Sequence, residues 1–207
     1  LKKKGYATGG FGKWGAGGRD STGVPEKHGF DIFFGYYDQV HAHSFYPPYL
    51  IRNSEEVKLP GNTGGRTGQT YSHYSIMEEG LKFIRNNRDR PFFCYFPITP
   101  PHGMFDIPGD DPAWKQYQGE AWIRDEKIPQ DVKNYAAMVT MVDDNLGQVL
   151  ALLRELGPEL VRAIPPDEPA QPDVDARARR VAEPLLRVAH VRVRGEHLAR
   201  GWGWGRG

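Results

Sequence analysis

The sequence has little cysteine, no long apolar run and no excess of charge of either sign. A single cysteine, Cys94, excludes an internal disulfide and gives no information on the redox compartment. No stretch approaches the roughly 18 consecutive apolar residues of a membrane-spanning helix, so we expect no membrane partner. Lys and Arg (27) balance Asp and Glu (26), which leaves a net charge of +1 and gives no reason to expect nucleic acid as a partner.

A second absence begins at Pro158. Residues 158–207 contain no Lys, Phe, Tyr, Ser, Thr, Asn, Met or Cys, and consist mostly of Arg, Ala, Pro, Val, Gly, Glu, Asp and Leu. Three interpretations remain open: an Arg-rich interaction tail, a Pro-rich linker, or an out-of-frame translation of GC-rich DNA. We favour the third. The sequence therefore predicts one domain over 1–157 and an unrelated, poorly ordered tail over 158–207.

The first 157 residues alternate between strand and helix signals. Apolar spacing predicts two helices, and a continuous apolar run predicts a strand buried on both faces of a largely parallel sheet. Lys2 to Lys4 followed by Gly5 is typical of the last turn of a helix with a glycine cap. The predicted elements are a strand at 6–8, a Gly-rich loop at 9–18, a loop region at 38–68, helices at 74–86 and 132–156, and the buried strand at 92–96. This order favours an α/β fold.

Gly12-Lys13-Trp14 follows the first predicted strand. In an open α/β sheet, ligands bind beyond the carboxyl ends of the strands, so Lys13 could face an anion there. The alternative is a solvated lysine in a flexible loop. Pro100-Pro101-His102 likewise follows the buried strand, and this placement suits His102 to proton transfer or to contact with an oxyanion. The alternative for His102 is simple packing against its loop.

His41-Ala42-His43 resembles a pair of metal ligands, because alternate residues of a strand point the same way. No third ligand follows at a recognisable spacing, and Tyr and Pro surround the pair. We therefore favour a substrate-pocket role, or plain loop structure, over a metal site, and assign no metal ligand in this sequence.

Four segments, in order, resemble the sulfatase family: KKGYATGGFGKWGAG at 3–17, HGFDIFFGY at 28–36, PFFCYF at 91–96 leading to His102, and YAAMV from Tyr135 through Leu146-Gly147 to Gly157. The resemblance covers 1–157. It implies an alkaline-phosphatase-like fold, present here as an incomplete α/β/α sandwich, and hydrolysis of sulfate esters of small molecules or carbohydrates. It also implies an exported protein, periplasmic or secreted.

The family's nucleophile is a formylglycine made from a Cys/Ser-x-Pro-x-Arg motif, and a calcium ion polarises the sulfate. Neither that motif nor the family's calcium-binding Asp-Asn-Gly segment occurs in the sequence, and Cys94 is followed by Tyr95-Phe96-Pro97. The resemblance therefore implies a central fragment that is inactive alone, with the calcium ligands absent from this chain.

By resemblance, Lys13 is the lysine that contacts the sulfate, and His102 is the histidine that contacts the sulfate and assists the leaving oxygen. His41 and His43 correspond to residues on the substrate side. Many relatives have Lys-Trp-His where this sequence has Lys13-Trp14-Gly15, so the histidine that steers the formylglycine hydrate is missing. Three other readings stay open: a non-catalytic anion- or glycan-binding module, a phosphoester hydrolase of the same superfold, and a gene fragment without function.

Overall fold

The computed structural model describes residues 1–157, and the predicted tail at 158–207 lies outside the described residues. The described part is an α/β fold, as the sequence predicts. Its strands are β1 (Ala7–Lys13), β2 (Ile32–Tyr36), β3 (Tyr49–Arg52), β4 (Glu55–Lys58) and β5 (Phe92–Tyr95). Its α-helices are α1 (Ser72–Asn86), α2 (Ala121–Arg124) and α3 (Gln130–Leu156), with 3-10 turns at Lys2–Lys4, Pro25–His28, His41–His43 and Pro112–Tyr117.

The five strands form one sheet in the order β4-β3-β2-β1-β5. Strand β1 pairs in parallel with both β2 and β5, whereas β2 with β3 and β3 with β4 pair antiparallel. The sheet is therefore mixed, and the prediction of a mostly parallel sheet is wrong for its β3–β4 half. That half is a hairpin within the predicted loop region at 38–68. Asn53 and Ser54 form its two-residue loop with φ of 46° and 72°, which matches the twist of the flanking strands.

Strand β1 is longer than the sequence predicts. Its three glycines suggested a flexible loop, but Gly9, Gly10 and Gly12 lie buried in the centre of the sheet. A Cβ atom at Gly9 would lie 2.8 Å from the Phe11 ring and 3.0 Å from Phe83 of α1. Glycine is needed here for close packing of aromatic rings over the strand, and a flexible loop is not what forms.

Strand β5 corrects a second prediction. Within residues 1–157 it pairs with β1 alone and is an edge strand. Phe92 and Cys94 face the α1 side, whereas Phe93 and Tyr95 on the other face are 40% and 43% exposed. Their rings stack with centroids 6.5 Å apart, next to Phe30. A continuous apolar run predicts that both faces can be buried, but it does not say what covers the second face.

Helices α1 and α3 each begin two residues before the predicted start and end where expected. Helix α1 packs on β1 and β5, and α3 packs on α1 and on the 3-10 turn Pro112–Tyr117. Two residues of α3 with large apolar side chains, Tyr135 and Leu146, are 46% and 57% exposed. Two polar residues of α3 are buried instead, and each has a hydrogen-bond partner: Thr140 bonds to partly buried Tyr117, and Asn145 to buried His73.

The first 3-10 turn ends at the residue that the sequence predicts. Gly5 closes the turn Lys2–Lys4 in the left-handed conformation (φ 78°), as predicted.

Helix α3 has the length and composition of a membrane span, a property that core helices of water-exposed proteins share. One third of its apolar window is buried inside the protein, where α3 contacts α1 and the turn Pro112–Tyr117.

Candidate active site at the carboxyl edge of the sheet

Lys13 is the last residue of β1, the strand that lies between β2 and β5. It is half-buried and lies opposite Tyr36, the last residue of the parallel neighbour β2. Its backbone N–H donates to the carbonyl of Pro97, just beyond the end of β5, at 2.7 Å. The lysine therefore lies where the carboxyl ends of three parallel strands meet, the edge at which open α/β sheets bind ligands.

The backbone at this edge is packed too closely for side chains. Gly12 has φ of +141°, and a Cβ there would lie 2.2 Å from the carbonyl oxygen of Pro97. A Cβ at Gly35 (φ +152°) would lie 1.9 Å from the carbonyl oxygen of Gly12. These contacts fix the ends of β1 and β2 against the segment that follows β5, and so set where Lys13 leaves the sheet.

His102 lies in the loop that follows β5. Thr99 and Pro100 are buried, the Pro100–Pro101 peptide bond is cis, and the His102 N–H donates to the Thr99 carbonyl at 3.0 Å. The imidazole of His102 is exposed, and its centroid lies 5.6 Å from that of His43. The structure therefore brings together two of the predicted site histidines from distant parts of the chain.

His41 and His43 do not point the same way. They lie on a 3-10 turn, where residues two apart face different directions, and the strand geometry assumed for the pair is wrong. Asp38 starts the turn by accepting the N–H groups of Val40 and His41. A short polar residue ahead of His41 was the sequence signal for such a turn.

The His41 ring packs between Tyr36 and Tyr49, at centroid distances of 5.1 and 4.5 Å. Its Nε2 is buried and has no hydrogen-bond partner among residues 1–157. Burial lowers the pKa of His41, against smaller opposing effects of the Tyr49 backbone and the Asp38 charge. His41 is therefore neutral and packed inward, and His43 is the histidine that lies beside His102.

Lys13, His43 and His102 offer hydrogen-bond donors and positive charge, which suit an oxyanion. They do not suit calcium, which takes six to eight oxygen ligands. Within the described residues, no group of three or more His, Cys, Asp or Glu side chains could hold a metal ion. Cys94 packs against the α1 side of the sheet, and burial raises the pKa of its thiol to about 12.

Sequence reasoning missed Arg66. Its Nε donates to Asp106 Oδ1 at 2.8 Å, and its Nη2 to Asp131 Oδ1 at 2.7 Å. Asp106 lies in the same loop as His102, and the residue before Arg66 accepts a hydrogen bond from Ser44, next to His43. No motif marks Arg66, because its two partners, Asp106 and Asp131, are close in space and distant in sequence.

Two clefts lie elsewhere on residues 1–157. One of about 440 Å³ lies between α1 and α3 and is lined by Met77, Glu78, Met141 and Asn145 among others. The other, of about 380 Å³, lies at the amino end of β1 beside Lys2, His28 and Phe93. Neither is lined by Lys13, His43 or His102.

The fold is similar to solved sulfatase structures. The structure of Ps i-CgsB in complex with k-i-k-neocarrahexaose superposes with a TM-score of 0.58 at 22% identity, over 75% of this chain and 35% of that one. The PsFucS1 sulfatase from Pseudoalteromonas gives a TM-score of 0.53 at 21% identity, over 75% and 34% of the two chains. These similarities confirm the predicted alkaline-phosphatase-like fold.

The sequence comparison points the same way. N-acetylgalactosamine-6-sulfatase from Rattus norvegicus is 32% identical over 173 residues, and the match covers 76% of this chain. The enzyme of the same name from Sus scrofa is 30% identical over 172 residues. The chain spans 29% of the length of the rat protein. The Sulfatase family model matches residues 1–159. With that match over most of its length, the chain belongs to the sulfatase family.

Proposed function

We propose that this chain carries the sulfate-binding part of a sulfatase active site, and that the whole protein hydrolyses sulfate esters. One observation carries the proposal. Lys13 ends β1, His102 follows the adjacent parallel strand β5, and the Lys13–Pro97 hydrogen bond joins the two segments. A cation and an imidazole thus share the edge where this fold binds its ligands.

In the proposed site, Lys13 pairs its ammonium with the sulfate oxygens, where charge increases as the ester bond breaks. His102 contacts the sulfate and holds a proton for the leaving oxygen. His43, 5.6 Å from His102 between ring centroids, limits the positions that the His102 ring can take. His41, packed between two tyrosines, shapes the substrate side from beneath.

The nucleophile and the metal are not assigned to these residues. Cys94 lies outside any Cys/Ser-x-Pro-x-Arg motif, and at a pKa of about 12 its thiol stays protonated at neutral pH. The described residues do not fit calcium, so no step is assigned to it. We therefore expect the 207-residue chain to bind sulfate without turning over sulfate esters.

We propose a sulfated carbohydrate as the substrate of the whole protein. The relatives named N-acetylgalactosamine-6-sulfatase and the carbohydrate complex of Ps i-CgsB support this class. Neither identifies the sugar. The resemblance to exported sulfatases supports a periplasmic or secreted location.

The test is binding of inorganic sulfate to the full chain at micromolar protein concentration. Diethyl pyrocarbonate modifies exposed neutral imidazoles, and peptide mapping by mass spectrometry reads His43 and His102 separately. We expect sulfate to protect His102. Lys13→Met should raise the half-protecting sulfate concentration at least tenfold, about 1.4 kcal/mol.

Lys82→Met is the matched control, because Lys82 is an exposed lysine on α1 whose partner is Glu79 at 3.7 Å. Protection that is equal in Lys13→Met and Lys82→Met would exclude Lys13 from the site. Sulfate protection that persists in the whole protein without hydrolysis of 4-nitrophenyl sulfate would instead favour the anion-binding module. Stronger protection by phosphate than by sulfate would favour a phosphoester hydrolase.

A further inference from the structure

The side chain of Arg66 connects three separate parts of the chain beside the His43–His102 pair. Its Nε binds Asp106 in the loop that carries His102, and its Nη2 binds Asp131 in the first turn of α3. The guanidinium is therefore bonded on two sides at 2.8 and 2.7 Å. Two hydrogen bonds from one planar group fix the orientation of the guanidinium. The compact ammonium of a lysine has no such fixed pair of donor directions.

The His43 side of the pair is joined to the same residue through the backbone. The Gly65 carbonyl, directly before Arg66, accepts the Ser44 hydroxyl at 3.0 Å. The Gly64 N–H donates to the Tyr46 carbonyl at 2.9 Å. Ser44 follows His43 in the chain, so the position of the 64–66 segment determines where the His43 turn ends.

The His102 side depends on Asp106. This carboxylate is 6% exposed, and its Oδ2 has no hydrogen-bond partner among residues 1–157. A buried carboxylate is costly unless a cation pairs with it. Arg66 supplies the cation, and its hydrogen bonds to Asp131 and Asp106 raise the pKa of the guanidinium, which stays charged. The Tyr71 hydroxyl holds the Asp106 carbonyl at 2.8 Å from the other side.

We propose that Arg66 is a positioning residue, which sets the separation of His43 and His102 by binding Asp106 while its own backbone segment holds Ser44. This inference rests on the proposed sulfate site, because the effect of Arg66 on ligand binding is measured there. Arg66 itself is not a sulfate ligand in this arrangement, because two carboxylates neutralise its charge.

The first experiment tests whether Arg66 anchors the loop at 99–106, and it uses no ligand. Hydrogen–deuterium exchange of the full chain, followed by mass spectrometry at about 1 μM, measures the segment at 99–106. Arg66→Gln should speed exchange of this segment at least tenfold, since the loop loses its anchor. Arg19→Gln is the matched control, because Arg19 is an exposed arginine with a single partner, Glu56 at 2.7 Å.

The second experiment reads the consequence for ligand binding, with inorganic sulfate as the probe and carbethoxylation of His102 as the signal. Arg66→Gln should raise the half-protecting sulfate concentration about tenfold. Arg66→Lys should recover part of this loss, because it restores the charge with one donor direction. If Arg66 only stabilises the fold, Arg66→Gln should lower the melting temperature, and Arg66→Lys should not bring the half-protecting sulfate concentration back towards the wild-type value.

A double variant keeps the test valid if Arg66→Gln fails to fold. Arg66→Gln with Asp106→Asn removes both charges together and leaves no unpaired buried carboxylate. It should fold and still show fast exchange at 99–106. Wild-type exchange at 99–106 in a folded Arg66→Gln, or in this double variant, would overturn the proposal. Absence of sulfate protection in the wild-type chain would instead count against the proposed function, and the exchange result would still decide the role of Arg66.

Discussion

His73 of α1 and Asn145 of α3 are joined by a buried hydrogen bond, Nε2 to Oδ1 at 2.5 Å, across 72 residues of sequence. The other ring nitrogen, Nδ1, is buried without a partner among residues 1–157. Burial lowers the pKa of His73 below 6.5, against opposing effects of Asn145 and the Asp111 charge. The contact between the two helices therefore depends on a neutral imidazole.

The first prediction is that acid weakens the fold through His73. The unfolded chain takes up the proton near pH 6.5 and the folded chain does so at lower pH. The stabilisation of the fold by neutral His73 is therefore complete above pH 6.5 and is lost as the pH falls below that value. The slope in the free energy of unfolding should reach about 1.4 kcal/mol per pH unit for this group. Urea denaturation between pH 7.5 and 5 measures it.

His73→Gln should remove part of this slope, because glutamine can still donate to Asn145 and does not titrate. His41, whose pKa burial also lowers, leaves a residual slope of the same sign. His28→Gln is the control, since His28 is an exposed histidine bonded to the Thr22 carbonyl. An unchanged slope in His73→Gln would show that His73 is not the source.

The second prediction concerns Gly12. Gly12→Ala places a Cβ 2.2 Å from the Pro97 carbonyl oxygen at a φ of +141°. We expect a loss of about 1–3 kcal/mol in stability and weaker sulfate protection of His102, because the end of β1 must move away from the β5 loop. Gly109→Ala, where nothing lies within 4 Å of the new atom, should change neither measurement.

The third prediction is self-association through β5. Phe93 and Tyr95 expose stacked rings on an edge strand, and such edges template pairing with another chain. Phe93→Lys should lower the aggregated fraction, measured by light scattering across protein concentrations. Val40→Lys, at a residue 76% exposed but outside any strand, is the control. A monodisperse wild-type chain at high concentration would contradict the prediction.

The fourth prediction is that Cys94 is unreactive. At a pKa of about 12, the thiolate fraction at pH 8 is about one in ten thousand. Ellman's reagent should react with the folded chain roughly a hundredfold more slowly than with free cysteine. In urea the two rates should converge. A fast reaction in the folded state would mean that β5 opens readily.

The positions of Lys13 and His102 followed from sequence because one rule, that ligands lie beyond the carboxyl ends of strands, depends on chain order alone. The last residues of α1 and α3 agree with the sequence prediction, and their first residues lie two positions earlier than predicted. The sequence predicts too short a strand β1, because Gly9 and Gly12 indicate a loop. Only their packing against Phe11, Phe83 and Pro97 shows that the strand continues. That packing depends on segments distant in sequence.

The same limit separates His43 from His41. Two histidines one residue apart look equivalent in sequence, and the 3-10 turn that Asp38 begins points one at His102 and the other between tyrosines. The exposed face of β5 could not be predicted, since an apolar run gives no information on what covers it. Residue roles at Lys13, His41, His43 and His102 stay predictions until the sulfate experiments are done.

The position of β1 in the sheet also sets the order in which the protein can assemble during synthesis. Strand β1 precedes β2 and β5 in sequence but lies between them in the sheet, with Ala7 opposite Phe92. A nascent chain can pair β1 with β2 early, yet the other edge of β1 stays open until residues up to Tyr95 have left the ribosome. Pairings this distant in sequence form slowly. One edge of β1 is therefore open to wrong partners while the residues up to Tyr95 are made, and this is a stage at which chaperones would act.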